Sequence, residues 1–223
     1  MASTSCTISV SSNNCCDSTV ANFKVLTFNM HGFNQGSTYL EEICNNGQYH
    51  AILLQELWLT PALMYKIKNL NPNYICYGIS AMEKVVTSGI LHGRPFGGTA
   101  ILLKKQLAGA VSHDVSFERV VSIELSNLLI TNVYLPCEDG SVEAVNLLNE
   151  ILANVSQIIE QSDADNIIFG GDLNVDFVNN STPHANALKE FLNTYKLIPN
   201  NCVDDVRCSK SFYTFSITRT TFL

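Results

Sequence analysis

Four short, largely apolar runs in this chain each stop on a polar residue. Residues 23–28 end at Asn29, residues 51–54 at Gln55-Glu56, residues 128–133 at Tyr134, and residues 166–169 at Gly170-Gly171-Asp172-Leu173-Asn174. A run such as Ala51-Ile52-Leu53-Leu54 has no polar face to offer water, so it is expected as a strand covered on both sides. Sheets built from such strands must be packed between other layers. Their polar ends gather at a rim, where open α/β architectures place their sites.

The segments between these runs supply the covering layers. A helix is expected over residues 38–46, with Ser37 as its N-cap and Gly47 just past its end. A second short helix starts at Thr60-Pro61, a capping residue followed by proline in the first turn. Residues 74–79, 99–103, 110–116, 120–125 and 128–135 are short, rich in β-branched residues and closely spaced, which predicts antiparallel hairpins. The longest helix is expected from Ser141 to about Gln161, because Val145, Leu148, Leu152, Val155 and Ile159 fall on one stripe. Thr182-Pro183 caps a last helix, and residues 212–215 open a final strand. The expected fold class is α/β, a four-layer sandwich of two mixed, mostly antiparallel sheets flanked by helices. Residues 1–22, rich in Ser, Thr, Asn and Cys, are expected as a flexible tail, and residues 23–223 as one domain.

Composition narrows the functions open to such a domain. With 46% hydrophobic residues the chain is not a disordered polymer, and no apolar run approaches the about 20 residues needed to cross a bilayer. No membrane partner is expected. The eight cysteines form no C-x-x-C pair, and the start of the chain lacks the apolar core of a secretory signal. Free thiols in an intracellular compartment, nuclear or cytoplasmic, fit both features. The net charge of -7 excludes a broad basic face, so contact with a phosphate must be local or made through a metal ion.

Each polar strand end has a plainer reading when taken alone. An Asn after a strand caps a turn, a Glu there is solvated, and a Tyr packs with its hydroxyl wet. Their occurrence in series is what carries information. Thr27-Phe28-Asn29-Met30-His31-Gly32, Leu54-Gln55-Glu56, Asn132-Val133-Tyr134-Leu135-Pro136 and Gly170-Gly171-Asp172-Leu173-Asn174 resemble successive motifs of the endonuclease/exonuclease/phosphatase superfamily. The segment 93–102, Gly-Arg-Pro-Phe-Gly-Gly-Thr-Ala-Ile-Leu, is similar to the apurinic-type endonuclease domain of non-LTR retrotransposons, and Tyr213-Thr214-Phe215 to the family's late Thr-Phe motif.

The resemblance implies a nuclease that nicks DNA beside a reverse transcriptase domain encoded downstream, working as a monomer. In-line attack of water on a phosphodiester builds negative charge that a cation must meet. Glu56, with the amide oxygen of Asn29, suits Mg²⁺ (or Mn²⁺) as a hard-oxygen site. By the family pattern Asp172 orients or deprotonates the water, Asn174 holds a phosphate oxygen, and Tyr134 donates its hydroxyl. Arg94, the one cation in its Gly/Pro-rich loop, is a candidate phosphate contact, and His31, two residues past Asn29, shares that strand face.

The family's closing Ser-x-Ile-Asp and Ser-Asp-His elements do not follow Phe215, and Ser112-His113-Asp114 is reversed and lies mid-chain. The domain is therefore expected to lack its last strands, leaving an edge open and the catalytic set incomplete. An inactive remnant is one alternative. A relative acting on RNA, inositol phosphates or phospholipid is the other.

Overall fold

Period-two alternation along the buried strands sorts their side chains into separate layers. The computed structural model describes residues 3–10, 21–88, 93–175, 182–199 and 212–218. In chain order the elements are β1 (Ser3–Val10), β2 (Ala21–Asn29), α1 (Phe33–Asn46), β3 (Ala51–Gln55), a 3-10 turn (Pro61–Leu63), α2 (Tyr65–Lys68), β4 (Tyr74–Ile79), α3 (Glu83–Ser88) and β5 (Thr99–Lys104). A second 3-10 segment (Lys105–Ala110) leads to β6 (Val111–Phe117), β7 (Val120–Leu125), β8 (Leu128–Tyr134), α4 (Val142–Gln161), β9 (Asn166–Asp172), α5 (Pro183–Thr194), β10 (Ile198–Pro199) and β11 (Phe212–Thr218).

The strands form two sheets, ordered β1-β2-β3-β5-β4 and β10-β11-β9-β8-β7-β6. Each is antiparallel except for one parallel pair, β2 with β3 in the first and β8 with β9 in the second. On β2 and β3, Leu26, Phe28, Ile52 and Leu54 pack outward under Leu40 and Ile43 of α1 and Ile67 of α2. Their alternates Val25, Ala51 and Leu53 turn inward and meet Val121, Ile123, Ile130 and Ile168 of the second sheet. The outer face of that sheet, with Leu129, Val133, Ile167 and Phe169, lies under Leu148, Leu152, Val155 and Ile159 of α4 and Leu188 of α5. Helix, sheet, sheet and helix thus make the four layers that the sequence implied. Among the described residues no helix is long and apolar enough to cross a membrane.

Ser141 and Thr182 cap as expected, Thr60 makes no side-chain cap bond and leads only into the Pro61–Leu63 turn, and two further departures concern α1 and the start of the chain. The Ser141 side chain accepts from the Ala144 N–H at the start of α4, and Thr182 accepts from Ala185 at the start of α5. Helix α1 begins at Phe33, a turn before the expected Ser37, because the chain reverses at Gly32 with φ +92° and enters the helix directly. The second departure concerns the expected tail. Its residues 3–10 form β1, antiparallel to β2 over eight register pairs from Ser3↔Phe28 to Val10↔Ala21. The reason is legible in Thr4, Thr7, Ile8 and Val10, β-branched residues with strand preference set beside a sheet edge that needs a partner. With β1 on one side and β3 on the other, the strand carrying Asn29 has no open edge. Likewise β9, which carries Asp172, lies between β11 and β8.

Candidate active site

The two parallel strand pairs end at the same rim of the sandwich, and their inward-facing positions supply the site. On β2 the inward series Val25, Thr27 continues to Asn29, and on β3 Ala51, Leu53 continues to Gln55. On β8 Leu128 and Ile130 lead to Asn132 and Tyr134, and on β9 Ile168 leads past Gly170 to Asp172. Beneath the rim a buried amide pair joins the sheets. Gln55 Nε2 donates to Asn132 Oδ1 at 2.7 Å, while Asn132 Nδ2 donates to the Leu54 and Ala100 carbonyls, each at 2.9 Å. These directional bonds hold together two sheets whose other inner contacts are mostly apolar.

Above that pair, four of the expected residues form one hydrogen-bonded cluster drawn from both sheets. Asn29 Nδ2 donates to Glu56 Oε1 at 2.8 Å and to Asp172 Oδ2 at 3.0 Å. The Tyr134 hydroxyl donates to Glu56 Oε1 at 3.2 Å. His31 joins through Nδ1, 3.0 Å from Glu56 Oε2, and Asn174 through its N–H, 3.3 Å from Asp172 Oδ1. His31, Glu56 and Asn174 have φ near +50°, as does Trp58, so four of the six non-glycine positive-φ residues among the described residues surround this cluster. Left-handed backbone costs energy in such residues, and the surrounding hydrogen bonds and packing hold it in place.

Two hydrogen bonds bear on the expected roles. The amide oxygen of Asn29, expected to face a cation, accepts the His31 N–H at 2.9 Å with one of its two lone pairs, and its NH₂ lies between the two carboxylates. A flipped amide would set oxygen against two carboxylates and nitrogen against an N–H, so the network selects this orientation. Asn174, expected to offer its NH₂ to a phosphate, commits one of its two amide hydrogens to the Leu135 carbonyl at 2.7 Å.

Burial shapes the charge of the cluster. Asp172 is 3% exposed, and loss of solvation raises its pKa from 3.8 to about 6, against the lowering effect of the Asn29 and Asn174 hydrogen bonds. Burial first, and then the neighbouring Glu56, push the Tyr134 phenol well above its usual range, so it remains a proton donor at neutral pH. Among the described residues no Lys or Arg forms an ion pair with Glu56 or Asp172. Two hydrogen-bonded carboxylates with hard oxygen donors and no partnering cation suit a divalent metal. No three His, Cys, Asp or Glu side chains among the described residues converge on one point, so water would supply much of its coordination, as Mg²⁺ commonly allows.

Beside the cluster opens a cavity of about 490 Å³ lined by Glu56, Trp58, Arg94, Phe96, Arg119 and Tyr134. Arg94, the candidate phosphate contact, lines this cavity. Arg119 was not legible as a site residue. It reaches the cavity from the β6–β7 turn, with its guanidinium 5.0 Å from the Tyr134 ring centroid and Nη1 donating to the Tyr134 carbonyl at 3.3 Å. Trp58 was also missed, and it stands 5.9 Å from the His31 ring. Ser112 and His113 line a different cavity with Glu124 and Ser162. Cys44, Cys76 and Cys137 are free thiols, while the expected Tyr213-Thr214-Phe215 motif lies in β11 beside β9.

Comparison with known proteins places the two-sheet fold and its rim cluster in a family. The sequence profile of the Endonuclease/Exonuclease/phosphatase family matches residues 26–221. The chain belongs to that family, which supports metal-dependent phosphodiester hydrolysis. No curated protein sequence matches it. Among solved structures it is similar to the 3'-5' exonuclease NExo of Neisseria meningitidis, at TM-score 0.59 and 14% identity over 86% of each chain. An AP endonuclease from Archaeoglobus fulgidus aligns at TM-score 0.55 and 15% identity over 87% of this chain and 86% of that one. A NExo D146N 3' phosphatase from Neisseria, bound to a product DNA hairpin, aligns at TM-score 0.56 and 13% identity over 77% of this chain and 70% of the other.

Proposed function

We propose that this protein is a Mg²⁺-dependent DNA endonuclease of the retrotransposon type, which nicks one strand and leaves a 3′-hydroxyl. The observation that carries the reading is the adjacency of the Glu56–Asn29–Asp172–Tyr134 cluster to a cavity lined by Arg94, Arg119, Trp58 and Phe96. A chain of net charge -7 thus gathers Arg94 and Arg119 where a phosphate would enter. Trp58 and Phe96 offer faces on which a base can stack.

Asp172, with its affinity for a proton raised toward neutrality, takes the proton of the attacking water. Tyr134 donates its hydroxyl to the phosphate or the leaving oxygen. Asn29 holds the Glu56 and Asp172 carboxylates in register across the two sheets. A divalent ion held by Glu56 would supply charge neutralisation at the phosphate.

The test is a substrate panel in Mg²⁺: supercoiled plasmid, single-stranded RNA, an inositol polyphosphate and sphingomyelin. Conversion of plasmid to the open circle is expected, with Arg94→Ala raising KM about tenfold through loss of a charge-assisted phosphate contact. Hydrolysis of the inositol phosphate or the phospholipid with plasmid left intact would contradict the reading.

A further inference from the structure

We propose that the end of the first sheet remote from the active site carries a second phosphate-binding surface, built on Lys24, His50, Lys104 and Lys105, that holds a single nucleic acid strand. The backbone sets these residues side by side. The His50 N–H donates to the Lys24 carbonyl at 2.8 Å and the Lys104 N–H to the His50 carbonyl at 2.9 Å, which extends the ladders of β2, β3 and β5 by one row. Neighbouring strands lie about 4.8 Å apart, so Lys24 and Lys104 stand about 10 Å apart with His50 between them. Lys24 is two positions before Leu26 and Lys104 two after Leu102, which puts both on the outer face of that sheet. Lys105 follows, its N–H fixed on the Asn73 carbonyl at 2.8 Å. His50 and Glu56 flank β3 at opposite ends, about 20 Å apart along the strand, so this surface is separate from the catalytic cluster.

Charge and shape both select an anion there. Among the described residues none of the three lysines forms an ion pair, although acids outnumber basic residues 20 to 13 in the chain. Glu41, whose charge reaches Cys44 in the wall of the adjoining cavity, pairs with none of them. Burial, then Lys104 and Lys24, lower the pKa of His50, so the ring is neutral at pH 7. Its Nδ1 accepts the Lys24 N–H at 2.9 Å, which leaves the proton on Nε2 as a donor. The cavity, of about 430 Å³, is lined by Asn45, Asn73, Tyr74, Lys104, Lys105 and Gln106. Asn45 Oδ1 accepts from Asn71 at 2.9 Å, so its NH₂ remains to donate. Two ammonium groups and an amide donor thus meet where phosphate oxygens would sit. The half-buried rings of His50 and Phe23 stack with centroids 5.1 Å apart, a platform for a base beside the lysines. That aromatic element favours a nucleic acid strand over an acidic peptide.

The test measures binding of a fluorescein-labelled oligothymidylate of about 20 nucleotides to the full chain by anisotropy, across a salt series. EDTA keeps cleavage out of the measurement, and the proposal stands independently of the metal reading. Combining Lys24→Gln, Lys104→Gln and Lys105→Gln is expected to weaken binding about tenfold or more. The slope of log Kobs against log salt should fall by about two, at about 0.7 for each phosphate contact. Combining Lys24→Arg, Lys104→Arg and Lys105→Arg keeps the charge and should bind as the wild type does. Wild-type affinity in the glutamine variant, or equal loss in the arginine variant, would overturn the proposal. Displacement of the oligonucleotide by polyglutamate of matched charge at equal concentration would overturn it as well, in favour of an acidic protein partner.

Discussion

Asp172→Asn is expected to slow phosphodiester cleavage by about 10²–10⁴-fold while leaving the metal-free protein as stable as before or more so. The two effects share one cause. Burial lifts the carboxyl from 3.8 to about 6, which makes it a competent proton acceptor near neutral pH and also makes its ionised form costly to fold. Because the native pKa lies above the unfolded one, the native state binds the extra proton between about pH 4 and pH 6. The contribution of this group to stability is fully present below that window and is lost as pH rises through it, a loss on the order of 3 kcal/mol. The amide cannot ionise, so at pH 7 the variant should gain about 1–2 kcal/mol in metal-free buffer. The difference in thermal midpoint between the two proteins should shrink as pH falls from 7 to 4. A variant that cleaves at more than about a tenth of the wild-type rate, or a difference in midpoint that ignores pH, would contradict this account of Asp172.

Gly171→Ala should have the largest effect on folding. The residue precedes Asp172 at φ +135°, and a Cβ added there would stand 2.0 Å from the Val133 carbonyl oxygen and 2.9 Å from Asn132 Oδ1. Val133 is the register partner of Gly171 in the parallel β8–β9 pair, so the obstacle is backbone and cannot swing aside. Backbone strain of about 1–3 kcal/mol and overpacking of a similar size add to a predicted loss of about 3–5 kcal/mol in urea unfolding. That is a large share of the about 5–15 kcal/mol that stabilises a typical domain. The same change at Gly109, where nothing lies within 4 Å of the new Cβ, serves as the control. Equal midpoints for the two variants would mean that β8 and β9 are not held as closely as Asp172 requires.

The layers of the fold were legible because the periodicities that define them are local. Leu148, Leu152, Val155 and Ile159 mark the buried face of α4 without reference to anything else in the chain, and Ser141 and Thr182 cap as their chemistry demands. The strand ends that carry Asn29, Glu56, Tyr134 and Asp172 were legible for a related reason, since each closes an apolar run. What the sequence did not disclose depends on distant partners. The direction of the Asn29 amide is chosen by a carboxylate 143 positions away. Arg119 reaches the cavity only because the β6–β7 turn folds back over Tyr134, and an isolated arginine in a turn carries no such mark. The strand preference of segment 3–10 is too short and too polar to mark a strand by itself, and it becomes one only where β2 offers an edge.

The most direct test of the central claim, that one cation and a cluster drawn from both sheets cleave phosphodiesters, is single-turnover cleavage of a nickable DNA duplex before and after chelation. The account predicts no cleavage in EDTA, recovery on adding back Mg²⁺ or Mn²⁺, and no recovery in Glu56→Gln. Cleavage that continues unchanged in the chelator, or that Glu56→Gln restores with metal as well as the wild type does, would contradict it.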